Sequence, residues 1–221
     1  MIGIVDYGMG NLYSLSQALE RLEQPYVISD DPSELDKSDG LILPGVGAFK
    51  DAMGLLNQKK LSDYLSAYAE KKPLLGICLG MQLLFDESEE GVPTKGLGLI
   101  AGRVVRFSGI SEKGGRYKVP HMGWNTLTFV TPDSVLLNGL KPDYAYFVHS
   151  YRAKLTDRSA LIAVADYDGE VPAVVGKGRV FGTQFHPEKS GAFGQALLKN
   201  YLQFVHQDNK GDTCDLEKGK C

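Results

Sequence analysis

The feature that most constrains this chain is a rhythm in its first hundred residues. Short apolar runs at residues 2–7, 26–28, 40–43 and 73–77 alternate with stretches of helical periodicity. Over residues 12–22, Leu12, Leu15, Leu19 and Leu22 recur at spacings of three and four, which places them on one helix face. Residues 52–71 read as a second helix, and residues 81–85 open a third. Strands alternating with helices build β-α-β units and a parallel sheet. Functional residues in such sheets gather at the carboxyl ends of the strands.

From about Gly98 the rhythm changes. Residues 104–107, 124–130, 144–151, 161–167, 173–177 and 180–185 read as strands separated by turns, some of them antiparallel. A closing helix is expected over residues 191–205. The expected fold is α/β: a mixed, largely parallel central sheet flanked by helices, with added antiparallel strands in the second half. Its 221 residues fit one such domain, placed at 1–206. Residues 207–221 are polar and poor in aromatics, and are expected to form a disordered tail.

Charge and cysteine content exclude several function classes. Lys plus Arg is 24 against 27 for Asp plus Glu, a net charge of −3, which argues against binding nucleic acid by neutralising its phosphates. No apolar run approaches the ~18–20 residues that cross a bilayer, so no membrane span is expected. Met1-Ile2-Gly3-Ile4-Val5-Asp6 carries neither a basic region nor a cleavage site, which points to the cytoplasm. Cys78, Cys214 and Cys221 are odd in number and lack a C-x-x-C pair, so neither a disulfide framework nor a zinc ribbon fits. Asp30, Asp31 and Asp36 lack the spacing of metal ligands and read as an exposed loop. Gly8-Met9-Gly10-Asn11 lacks the third glycine and the lysine of phosphate-binding loops, and reads as a turn with Asn11 capping a helix. Lys113, Arg116 and Lys118 read as a solvated loop. Neither metal nor cofactor is expected.

Gly76-Ile77-Cys78-Leu79-Gly80 lies between an expected strand and an expected helix. This is the glycine-flanked elbow of a nucleophile, with sulfur in place of a hydroxyl. A nucleophile in so tight a turn has a strained backbone, and neighbours with a Cβ would crowd it. The turn sets the sulfur at a helix N-terminus, which favours thiolate. It also aims the Leu79 N–H at an oxyanion formed on an attacked carbonyl. The same five residues are compatible with a buried, inert cysteine between packing glycines. A base separates the two readings. Of the four histidines, His121, His149, His186 and His206, His186 ends the run 180–185 and is followed by Pro187-Glu188. Pro187 fixes the backbone between the two polar side chains, so Glu188 can hold the imidazole in its useful tautomer. Cys78, His186 and Glu188 then supply a nucleophile, a base and an orienter.

The segment Gly76-Ile77-Cys78-Leu79-Gly80-Met81-Gln82, with His186-Pro187-Glu188, resembles the class I, or triad, glutamine amidotransferases. The resemblance implies their flavodoxin-like fold, with Cys78 attacking the side-chain amide of L-glutamine. His186 would shuttle the proton to departing ammonia, Glu188 would orient it, and Gly45, Gln82 and Glu90 would help hold the substrate. Pro44-Gly45-Val46-Gly47-Ala48-Phe49 resembles the family's oxyanion strand, whose glycines permit a peptide flip. The implied oxyanion hole is the Leu79 N–H together with one at Val46 or Gly47.

Two further segments, Pro120-His121-Met122-Gly123-Trp124-Asn125 and Tyr146-Phe147-Val148-His149-Ser150-Tyr151, resemble a narrower group. Those family members form heterodimers with a (β/α)8-barrel cyclase in histidine biosynthesis. The likeness implies that His121, Met122, Gly123, Trp124 and Asn125 lie near the partner surface, while His149, Ser150 and Tyr151 border the glutamine pocket. It also implies that ammonia passes through a tunnel to the cyclase, which makes imidazole glycerol phosphate and the aminoimidazole carboxamide ribotide. Read without the family, Trp124 is plain core and residues 146–151 an aromatic strand. Two other destinations remain: a paralogous glutaminase feeding the amidation of surface sugars, and a non-catalytic regulatory domain on the same fold.

Overall fold

In the computed structural model, which describes residues 1–111 and 114–217, the first four apolar runs all become strands of one sheet. Lys113 and Cys221 lie outside the described residues. β1 (Ile2–Val5), β3 (Gly40–Leu43) and β4 (Leu74–Ile77) are buried at every residue, as strands covered on both faces must be. β2 (Tyr26–Ser29) sits at the edge and is more open. The crossovers hold α1 (Leu12–Arg21), α2 (Pro32–Leu35), α3 (Phe49–Gln58) and α4 (Leu61–Ala69). Asn11 caps α1 through its side-chain oxygen, which accepts from the Ser14 N–H at 3.2 Å, as its position in the sequence suggested.

After β4 the chain turns through α5 (Leu79–Leu83) into β5 (Phe85–Ser88), β6 (Thr94–Lys95) and β7 (Ile100–Arg106). There follow β8 (His121–Phe129), β9 (Tyr144–His149), β10 (Tyr151–Leu155), β11 (Leu161–Asp166), β12 (Glu170–Lys177), β13 (Val180–Thr183) and α6 (Gly191–Glu217). The main sheet has nine strands in the order β2-β1-β3-β4-β13-β12-β11-β8-β9. Its first five are mutually parallel, and the remainder pair antiparallel. A second sheet, β10-β7-β5-β6, lies apart. One core cluster joins the main sheet to α1 and α6 through residues such as Leu15, Leu19, Leu197 and Tyr201. The other joins its opposite face to α3, α4 and the small sheet through Phe49, Leu56, Leu65 and Phe85. No helix among the described residues is long and apolar enough to cross a membrane.

The ends of β1, β7, β8, β12 and β13 shift by up to four residues from the sequence expectations, and four further differences concern the helices and a change of sheet. The helix expected over residues 52–71 is two helices, because Lys60 adopts φ +58° and ends the hydrogen-bonded run between α3 and α4. The helix expected at 81–85 is the short α5, which starts earlier, at Leu79, and gives way at Phe85 to a strand. The strand expected over 144–151 breaks at Ser150: β9 pairs with β8 in the main sheet, whereas β10 pairs with β7 in the small one. An apolar alternation that continues through a change of sheet carries no mark of the change. The closing helix runs to Glu217 rather than Val205, taking in residues expected as a tail. No proline follows Pro187 to stop it, and Asp208 accepts two hydrogen bonds from Arg179 Nε at 2.8 and 2.9 Å.

Lys60 is exposed and holds a left-handed backbone that costs an L-residue roughly 1–2 kcal/mol. Lys60→Gly relieves that strain, partly offset by the greater entropy of the unfolded chain. Urea unfolding should show the variant to be more stable by several tenths of a kcal/mol up to about 1 kcal/mol. A lower midpoint would mean that the lysine side chain is itself holding the two helices.

Candidate active site

β4 ends at Ile77, and the next residue holds a strained backbone: Cys78 has φ +55° and ψ −110°. Strain of this kind persists only when the surroundings over-determine it. Here three glycines do so. A Cβ on Gly76 would lie 2.5 Å from the Gly80 carbonyl oxygen, and one on Gly80 would overlap the Leu43 carbonyl oxygen. A Cβ on Gly45 would meet Gly80 N at 2.8 Å and Tyr7 Oη at 2.7 Å. The elbow is thus wedged against the end of β3. On its other side the Cys78 N–H donates to the Thr183 carbonyl of β13 at 2.7 Å.

The carboxyl end of β13 delivers the histidine. His186 precedes a 3-10 turn, Pro187–Lys189, and its Nδ1 donates to Glu188 Oε1 at 2.8 Å. Ser190 ties this turn to β9: its hydroxyl donates to the His186 carbonyl at 2.7 Å and accepts from the Tyr146 N–H at 3.0 Å. Both side chains of the His186–Glu188 pair are buried. Burial alone would push the His186 pKa down, but the nearby Cys78 sulfur and the Glu188 carboxylate bonded to Nδ1 outweigh it and raise it to about 9. A raised pKa favours the imidazolium, the form able to give a proton.

Cys78 and His186 face a cavity of about 420 Å³. Val46, Gly47, Leu79, Gln82, Glu90, His149, Ser150 and Tyr151 line it as well. Gly47 has φ +106°, a conformation that favours glycine, and Val46 beside it is exposed. Gln82 Nε2 donates to the Tyr151 carbonyl at 3.1 Å and to Gln184 Oε1 at 3.0 Å. Glu90 Oε2 accepts from the Phe49 N–H at 2.8 Å, so its carboxylate sits at the start of α3. Gly45 and Glu188 stand behind the wall rather than on it: Gly45 packs against Gly80, and Glu188 backs His186.

The segment 121–125 divides across the pleat of β8. Met122 and Trp124 are 62% and 56% exposed, and Trp124 meets the Tyr146 ring at 5.9 Å. Gly123 and Asn125 are half-buried. Strand alternation turns His121 inward, to 2% exposure. Its ring stacks between Tyr167 and Phe147, at 4.0 and 4.5 Å between centroids.

Gln184 is a site residue that the sequence reading missed. It is wholly buried, accepts from Gln82, and directs its amide at Cys78, with Nε2 3.9 Å from Sγ. Its place in the short run that leads from β13 to His186 was the available signal.

The family model described as glutamine amidotransferase class-I matches residues 3–204. Among curated relatives, the protein named imidazole glycerol phosphate synthase subunit HisH from Geobacillus kaustophilus (strain HTA426) is 62% identical over 203 residues, 91% of this chain and 96% of that one. The same-named protein of Halalkalibacterium halodurans is 55% identical over 211 residues, covering 95% and 99%. That of Bacillus subtilis (strain 168) is 54% identical, covering 93% and 97%. A crystal structure of a glutamine amidotransferase superposes with a TM-score of 0.72 at 20% identity, over 93% of this chain and 98% of that one. The structure of PurLQS from Thermotoga maritima gives 0.71 at 23%, over 92% and 98%. These two structures establish likeness of fold.

The raised pKa of His186 makes a linkage prediction. A histidine held above its unfolded value of about 6.5 stabilises the fold below that pH, and the contribution is lost as pH rises toward about 9. Glu188→Gln removes one of the two groups that hold it up. The parent should therefore lose more stability than Glu188→Gln between pH 6 and pH 9.5 in urea unfolding, a difference in which the other histidines cancel. Ring chemical shifts should show His186 titrating at a lower pH in the variant. An unmoved titration would mean that Glu188 does not govern this imidazole.

Proposed function

The chain belongs to the class-I glutamine amidotransferase family, and from that premise we propose that it is the glutaminase subunit of an imidazole glycerol phosphate synthase, with Cys78, His186 and Glu188 as its triad. The observation that carries the chemistry is the strained thiol of Cys78 at a cavity wall it shares with the His186–Glu188 pair. The destination of the ammonia rests on curated relatives of that name, which match more than nine-tenths of the chain at up to 62% identity.

The reaction runs in two halves. The Cys78 sulfur attacks the side-chain carbonyl carbon of L-glutamine, forming a C–S bond and a tetrahedral oxyanion. The Leu79 N–H and a backbone N–H at Val46 or Gly47 receive that oxyanion. His186 gives its proton to the nitrogen, the C–N bond breaks, and ammonia leaves a γ-glutamyl thioester. His186, now neutral, takes a proton from water as its oxygen bonds to the same carbon. The C–S bond breaks, glutamate departs, and Cys78 is restored. Glu188 holds His186 in the tautomer that keeps Nε2 toward the sulfur. Gln82, Glu90 and the backbone of residues 149–151 fix the substrate, and Gln184 steadies both the thiol and Gln82.

The ammonia is consumed by a (β/α)8-barrel cyclase subunit, which joins it to a phosphorylated ribulosyl intermediate and releases imidazole glycerol phosphate. Ammonia freed into bulk water would be protonated and diluted, so the two proteins work as a cytoplasmic heterodimer with a closed passage between them. The exposed side chains of Met122 and Trp124 belong to the docking face in this reading. The oxyanion strand is the element through which the partner gates the glutaminase, since Gly45 and Gly47 let its peptides reorient.

Glutamate release from glutamine, measured with the chain alone and with a cyclase barrel subunit and its nucleotide ligand, tests the proposal. Strong stimulation by the pair is expected, lost entirely in Cys78→Ala and reduced about a hundredfold or more in Glu188→Gln. Activity in Cys78→Ala near that of the parent would overturn the triad. Full activity of the chain alone would remove the gating. Silence with the cyclase present would exclude histidine synthesis as the destination.

A further inference from the structure

One polar chain in the protein leads away from the cavity, and the triad does not use it. His149 lies in the cavity wall, and its Nδ1 meets the Tyr151 carbonyl oxygen at 2.7 Å. A carbonyl only accepts, so Nδ1 carries the proton. His149 Nε2 lies 3.0 Å from His121 Nδ1, and His121 Nε2 lies 3.2 Å from Asn125 Nδ2. Asn125 Nδ2 also donates to the Asp166 carbonyl at 2.8 Å. An amide nitrogen has two protons, and here each has its own acceptor.

The two carbonyl ends fix the polarity of everything between them. Asn125 can only give a proton to His121 Nε2, which leaves His121 protonated on Nδ1. His121 Nδ1 then gives to His149 Nε2, and His149 Nδ1 gives to Tyr151. The chain closes only with both rings neutral. Burial supplies that condition, pushing His121 down to about 4 and His149, which neighbouring His121 and His186 lower further, to about 3. The stacking of His121 between Tyr167 and Phe147 prevents it from turning to any other partner.

We propose that Asn125 and His121 are positioning residues for the glutaminase: acting through His149, they hold the Tyr151 carbonyl, and with it the Ser150–Tyr151 backbone of the glutamine pocket. The proposal rests on the function assigned above. The same carbonyl accepts from Gln82, so two side chains from different parts of the fold hold one peptide. Asn125 stands one residue from the exposed Trp124 on β8. Substrate binding is therefore set in part by a side chain at the rim of the face assigned to docking.

The test uses the chain with saturating cyclase subunit and compares the parent with Asn125→Ala, Asn125→Asp and Asn125→Gln. Asn125→Ala should raise KM for glutamine about five- to tenfold, the scale of one lost hydrogen bond, with kcat changed less than about threefold. Asn125→Asp puts an acceptor where the chain needs a donor and should raise KM at least as much. Asn125→Gln, if its longer amide still reaches His121, should recover part of the loss. Nitrogen shifts of ¹⁵N-labelled histidine should show His121 and His149 neutral and protonated on Nδ1 in the parent, with that pattern lost in Asn125→Ala. A parental KM in both Asn125→Ala and Asn125→Asp, or a parent carrying the His149 proton on Nε2, would overturn the proposal. A parent inactive with its cyclase would instead fail the glutaminase assignment, and the ring shifts would still show whether the hydrogen-bond chain exists.

Discussion

The approach of Gly80 to the Leu43 carbonyl holds this site together. The space between the end of β3 and the first turn of α5 is too small for a single methyl group. Because that space is closed, Cys78 has nowhere to relax, and its backbone stays at φ +55°. Because β3 ends there, the segment that follows it, Pro44 to Gly47, lies beside the elbow rather than above another strand. The parallel pairing of β4 with β13 brings Thr183 level with Ile77, so the residues that follow each strand meet at the same height. His186 and Cys78 come together through this register, 108 residues apart in sequence.

Two buried histidines in one cavity wall are driven in opposite directions by their partners. His186 has a carboxylate and the Cys78 sulfur, and its proton is held to about 9. His149 has a carbonyl and a second imidazole, and it stays neutral down to about 3. Burial lowers both, so the difference comes from what each ring is bonded to. One cavity wall thus holds a ring whose charged form is favoured and another whose neutral form is favoured, a difference set by their partners.

The small sheet has a part in this that its size conceals. The chain leaves the main sheet after β9 and pairs with β7 as β10, which brings the Tyr151 carbonyl to Gln82. β5 follows α5 with one residue between and packs Phe85 into the core on that side. The cavity that Cys78 and His186 face is lined by residues of both sheets and of the segments between them.

What the sequence determined by itself was local and periodic. Runs without alternation specified buried strands within residues 2–7, 40–43 and 73–77, and the glycines around Cys78 specified an elbow because only glycine fits there. His186-Pro187-Glu188 was legible for the same reason, its three members being adjacent in the chain. The sequence was silent wherever a side chain's role depends on a residue far away. His121 looked like its neighbours Met122 and Trp124 until the pleat turned it under two aromatic rings. Gln184 had no meaning until Gln82 arrived beside it from 102 residues away. Ser150 shows no break in pattern, yet the chain changes sheets there. Backbone conformation is chosen by a residue and its neighbours, and sequence records it; partnership is chosen by the packing of whole elements, and only the tertiary structure decides it.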